Sequence, residues 1–124
     1  MDKTQLYHSG VYDEKAVSNL LALGDPDFIR DLIAIFKENT PDYLHALNEY
    51  HQARNAWEMR QILHKMRGTC GTVGAKHLLA MVDALRQSLT NKDWVSATKY
   101  LRQLHETWSG THPYLELMFD LGNE

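Results

Sequence analysis

Asp25-Pro26-Asp27-Phe28-Ile29-Arg30-Asp31-Leu32-Ile33-Ala34-Ile35-Phe36 is the stretch that decides the fold class. Asp25 is a residue type that caps a helix start through its carboxylate. Pro26 has the fixed φ suited to the first helical position, and Asp27 puts negative charge at the positive end of the helix dipole. Phe28, Ile29, Leu32, Ile33 and Phe36 then recur at helical spacing and are expected to face a core. Upstream, Asp13-Glu14 caps a short helix through Leu20, Leu21 and Leu23 that Gly24 ends. Downstream, Thr40-Pro41-Asp42 repeats the start signal and predicts a new helix carrying Leu44, Leu47 and His51 to about residue 55.

Further helices are expected from about Ala56 to Val73, broken by Gly74, and from Ala75 with Leu78, Leu79, Val82, Leu85 and Leu89 on one stripe. Thr90-Asn91-Lys92-Asp93 reads as a turn. The last long helix holds Trp94, Ala97, Leu101, Leu104 and Trp108, and Pro113 should end or kink it. The apolar tail from Tyr114 to Leu121 is expected to pack back as a short helical piece. No alternating β-branched run and no Asn-Gly or Asp-Gly hairpin turn competes with this reading. Short links between helices favour antiparallel neighbours. The expectation is an all-α fold: an up-and-down antiparallel four-helix bundle with one additional short N-terminal helix, in a single domain over residues 1–124.

Composition narrows the function classes. The chain has 124 residues, enough for one core of ordinary size, with 44% hydrophobic and 23% charged residues and only three prolines. No unbroken apolar run exceeds five residues, as in Leu78 to Val82, so no membrane span is expected. The first residues do not read as a signal peptide. A net charge of −3 gives no sequence-independent attraction to nucleic acid or anionic lipid. The single cysteine, Cys70, cannot form an internal disulfide, which fits a reducing cytoplasm. The starting Met1 and short ends lean toward a free-standing protein, and a monomer is expected.

The helix from Ala56 to Val73 breaks its own pattern. At about 100° per residue, Met59, Ile62, Leu63, Met66, Cys70 and Val73 share one stripe, the expected core face. Opposite lie Trp57, Gln61, His64, Gly68 and Gly71, with Arg60 and Arg67 along one edge and Lys65 on the other flank. An interior glycine costs about 0.5–1 kcal/mol against alanine, and no core demand places Gly68 one turn after His64. Its effect is to clear space beside the imidazole. Neutral imidazole is a good nucleophile near neutral pH, and Arg67 at i+3 could offset the charge of an anion attached to it. These residues are compatible with a phosphoryl acceptor. A lone exposed histidine is more often an ordinary surface residue, with the glycine marking a helix bend.

The segment Ile62-Leu63-His64-Lys65-Met66-Arg67-Gly68-Thr69-Cys70-Gly71-Thr72-Val73-Gly74-Ala75-Lys76-His77-Leu78 resembles the signature of histidine-containing phosphotransfer (HPt) domains. The resemblance extends to Leu23-Gly24-Asp25-Pro26-Asp27-Phe28-Ile29 and to Asp93-Trp94, and so covers about residues 13 to 108. It implies that His64 accepts the phosphoryl group, that Arg67 is the basic group beside the phosphate, and that Gly68 gives clearance to the partner. Arg60, Gln61, Lys65 and Gly71 would lie in the partner-binding face. Arg67 departs from the family, which more often has lysine there; Leu63 and Cys70 are bulkier than usual and fall on the core side.

By this resemblance the chain is a phosphorelay intermediate. It takes a phosphoryl group from an aspartyl phosphate on one receiver domain and passes it to an aspartate on another. Its partners would be response-regulator receivers and a (hybrid) sensor histidine kinase. It would have no ATP-binding kinase activity of its own, in keeping with the lack of a P-loop or Gly-rich nucleotide box. No cofactor is expected, and Mg²⁺ would come from the receiver's acidic pocket. The dimerisation helix of a sensor kinase fits less well, since its box has an acidic residue just after the histidine, where Lys65 stands here.

Other readings carry their own expectations. A helical scaffold or adaptor would bind a partner by a helix face with His64 incidental; a carrier would hold metal or ligand inside the bundle. No two of the seven histidines have i, i+4 spacing and no Glu-x-x-His pair occurs, so no metal site is expected. Cys70 should be a buried thiol and His77 a surface residue at a helix start. Trp57 is expected to tuck under the preceding turn rather than stand out as an anchor.

Overall fold

The structure is a computed structural model and describes residues 1–121. Its elements are α1 (Lys3–His8), α2 (Glu14–Ala22), α3 (Pro26–Gln52), α4 (Ala56–Val73), α5 (Lys76–Thr90), α6 (Trp94–Thr111), a 3-10 turn at His112–Tyr114 and α7 (Leu115–Met118). The bundle is formed by α3 to α6. Each packs on the next, and α6 returns to α3 to close the ring. Short α2 lies across α4. The core runs through all four long helices, from Ile29, Ile33 and Phe36 to Leu85, Leu104 and Trp108. The edge of Trp108 meets the ring of Phe36, with centroids 5.3 Å apart.

Asp13 and Asp25 cap their helices as expected, and Asn55 and Asp93 do the same for α4 and α6. In that order along the chain, the cap side chains accept backbone N–H bonds from Ala16, from Asp27 and Phe28, from Glu58 and from Ser96. Two of the expected helix boundaries fail. First, Thr40-Pro41-Asp42 starts no new helix: α3 runs unbroken for 27 residues with Pro41 inside it. The buried face continues across the proline through Phe36, Thr40, Leu44 and Leu47, while Pro41 itself is exposed. Thr40 is turned inward and its hydroxyl donates to the Phe36 carbonyl at 2.7 Å. Burial of that continuous stripe outweighs the lost backbone bond.

Second, a helix precedes the first one expected. Asp2 and Gln5 form a capping box that starts α1, and α1 buries Leu6. Phe28 also departs from its expected core position. It is 48% exposed, because the inward stripe of α3 runs through Ile29, Ile33 and Phe36 instead.

Gly74 fixes how α2 sits on α4. It ends α4 at φ +76°, in the left-handed region, and its carbonyl accepts from Asp13 N–H at 2.8 Å. A Cβ there would lie 3.0 Å from the Ala16 methyl and 3.2 Å from the Asp13 carbonyl oxygen. Lys76 N–H then donates to the Val11 carbonyl at 3.1 Å, so backbone of the N-terminal segment caps α5, which has no side-chain cap. The segment between α1 and α2 is thereby held against the junction of α4 and α5.

Candidate functional site

His64 lies in the middle of α4, whose Asn55 cap and left-handed Gly74 end fix the helix at both termini. The predicted inward stripe of Met59, Ile62, Leu63, Met66, Cys70 and Val73 is buried throughout. The imidazole is therefore presented to solvent from a helix that the core holds rigidly. Gln61, His64, Lys65, Arg67, Gly68 and Gly71 are all exposed, and Arg60 is half-buried.

A Cβ built on Gly68 or on Gly71 meets nothing within 4 Å, and neither glycine has a positive φ. Neither packing nor backbone conformation requires them. They leave a bare strip of helix surface running C-terminally from His64. That strip opens into a shallow groove between α2 and α4, lined by Ala16, Asn19, Leu20, Leu23, Gly71 and Thr72. Leu23, at the rim, is 70% exposed. Trp57, two turns before His64 on the same stripe, is 59% exposed and does not tuck under the preceding turn as the sequence suggested. The imidazole thus sits between an apolar ring at one end of its stripe and an apolar groove at the other.

The charges are arranged less simply than the sequence implied. Arg67 reaches sideways to α5, where its Nε donates to Asp83 Oδ1 at 2.9 Å. Asp83 escaped the sequence reading because it is sixteen residues away and reaches Arg67 only through the packing of α4 on α5. Burial pushes the Cys70 thiol up to about 12, with the Asp83 charge adding to the shift, so it is no nucleophile.

The other histidines have separate surroundings. His45 faces Glu49 at 2.9 Å, His51 meets the Thr98 hydroxyl at 2.8 Å, and His105 meets the Asn48 side chain at 3.0 Å. His77 is exposed and lies against Gly10, where a Cβ would approach its Nε2 to 3.1 Å. Among the described residues no three His, Cys, Asp or Glu side chains come together as a metal site. Among the described residues no helix is long and apolar enough to cross a membrane.

The Hpt domain family model matches residues 31–111, about two-thirds of the chain and including the whole of α4 and α5. The chain belongs to the Hpt domain family. Membership brings the family's role, histidine phosphotransfer in a phosphorelay, and its class of partners, receiver domains and histidine kinases. Solved structures share the fold. A histidine-containing phosphotransfer protein from maize superposes with a TM-score of 0.84 at 17% identity, over 95% of this chain and 89% of its own. One from Medicago truncatula gives 0.82 at 18% identity, over 96% and 84%. No curated protein matches the chain.

Proposed function

We propose that His64 is the residue on which this Hpt domain carries its phosphoryl group. The observation that supports this is the pairing of an exposed, rigidly mounted imidazole with Gly68, a glycine that neither the core nor the backbone calls for. A ring nitrogen of neutral His64 attacks the phosphorus of a receiver's aspartyl phosphate. The N–P bond forms as the P–O bond breaks, the electron pair returns to the aspartate oxygen, and the proton on the other ring nitrogen exchanges with solvent. Transfer onward is the same step in reverse with a second receiver. Mg²⁺ is assigned to the receiver and none to this chain.

The receiver docks over the α4 face. Trp57 and the groove by Leu23 give it apolar contacts at either side, Gly68 and Gly71 admit its active-site rim, and Gln61, Lys65 and half-buried Arg60 supply the polar fringe. Arg67 balances charge on the phosphate. A direct test is incubation with a phosphorylated receiver domain. Label should pass to the wild-type chain, be labile in acid and stable in base, and vanish in His64→Gln. Undiminished transfer to that variant would remove His64 from the mechanism.

A further inference from the structure

The Arg67–Asp83 ion pair bears directly on the phosphoryl step. Arg67 follows His64 by three residues, so on a helix their Cβ atoms lie about 5–6 Å apart. The guanidinium is nevertheless bound at Nε by a carboxylate from the neighbouring helix, at 2.9 Å, with both side chains about half exposed. The pair is close to neutral. It places a negative charge on the very cation that the sequence assigns to the phosphate.

We propose that Asp83 is a positioning residue that competes with the phosphoryl group for Arg67 and so lowers the affinity of His64 for phosphate. The inference rests on the reading of His64 as the acceptor. In the resting protein Asp83 holds the guanidinium toward α5. When the dianion forms on the imidazole, Arg67 is drawn toward it, and the Asp83 carboxylate keeps part of the charge and repels the phosphate as well. A relay intermediate must give up what it accepts, so a cation fully committed to the phosphate would trap it. Arginine suits such a shared position better than lysine. Its planar fork can present Nε to one acid and the Nη pair to another, whereas an ammonium is a single point of charge.

The test uses the whole chain and needs no receiver. Potassium phosphoramidate phosphorylates imidazole, releasing ammonia, and ³¹P NMR follows the resonance that is missing in His64→Gln. The equilibrium ratio of phosphohistidine to free histidine, at fixed phosphoramidate, ammonia, pH and salt, is compared between wild type and Asp83→Asn. The variant keeps side-chain size and an oxygen to accept from Nε, so the fold and the Arg67 anchor are retained while the charge is removed.

The ratio should rise about two- to five-fold, the range open to a solvent-exposed charge pair. At least half of that gain should disappear when the same change is made in an Arg67→Gln background. An unchanged or lower ratio in Asp83→Asn overturns the proposal and leaves the reading of His64 standing. A gain that survives intact without Arg67 also overturns it, since competition for the guanidinium would then play no part. If no resonance depends on His64 at all, the acceptor assignment itself falls, and this inference with it.

Discussion

At the residue scale, Gly68 shows why a destabilising choice can be the functional one. It occupies an exposed helical position with ordinary helical backbone and open space where a Cβ would be. Alanine there should raise unfolding free energy by about 0.5–1 kcal/mol, the usual difference in helix propensity. Chemical denaturation will show the gain. A larger side chain at the same position would meet an incoming active site beside His64. Gly68→Gln should therefore leave the circular dichroism spectrum unchanged and slow phosphoryl transfer more than about ten-fold, since displacing reacting atoms by 1 Å can cost on the order of 100-fold. A Gly68→Gln protein that transfers at the wild-type rate would show that the bare surface has no part in docking. The sequence already held this reasoning, because a glycine three to four residues from a histidine on a polar face can be recognised from spacing alone. It did not hold Asp83, whose meeting with Arg67 depends on how two helices pack.

At the scale of the element, local signals and burial disagree once, in α3. Thr40-Pro41-Asp42 is as good a start signal as Asp25-Pro26-Asp27, yet only the second begins a helix. The difference lies in what surrounds each. Gly24 breaks the chain before Asp25 with φ +78°, while the residues before Thr40 are already helical and their apolar stripe continues through Leu44 and Leu47. A proline on the solvent face of such a helix is tolerated at a cost, and α3 shows its size to be less than the stripe's burial. Pro41→Ala restores a backbone donor to the Lys37 carbonyl and removes the ring clash. Against a helix-interior proline penalty of about 3 kcal/mol, reduced by the proline's restriction of the unfolded chain, the net gain should be about 1–3 kcal/mol. Urea titration is the measurement, and a loss of stability would mean that α3 needs the distortion at Pro41 to pack. The missed α1 is a different case. Its Asp2–Gln5 capping box is visible in the sequence, but so short a helix is set by the burial of Leu6 rather than by periodicity.

For the whole molecule, the polar links between α3 and α6 make folding sensitive to acid. His105 meets Asn48 at 3.0 Å and His51 meets Thr98 at 2.8 Å, both joining the first bundle helix to the last. Burial lowers the pKa of each, and for His51 the Arg54 guanidinium lowers it further. That cation also stacks over the Trp94 ring, 4.9 Å from its centroid. A histidine whose folded pKa lies below its unfolded one favours the unfolded state when protonated. Above about pH 7 both states hold neutral imidazoles and these groups contribute no pH dependence. As pH falls through about 6.5, the unfolded chain takes up protons first and stability declines until the folded values are passed. The carboxylates act in the same direction lower down. Glu116, lowered chiefly by its bond from Lys37, and Asp93, lowered chiefly by the Ser96 hydroxyl, add stability that is complete above the usual carboxylate range and is lost as pH falls through it. Acid unfolding should therefore proceed in two windows, one beginning near pH 6.5 and one near pH 4. The double variant His51→Gln, His105→Gln keeps a side chain able to donate to Thr98 and Asn48 but has nothing to titrate there. Its melting temperature should be flat between pH 7 and 5.5, where the wild type declines, and the two proteins should fall together below pH 4.5. An equal decline in both through the upper window would place the acid-sensitive group elsewhere in the bundle.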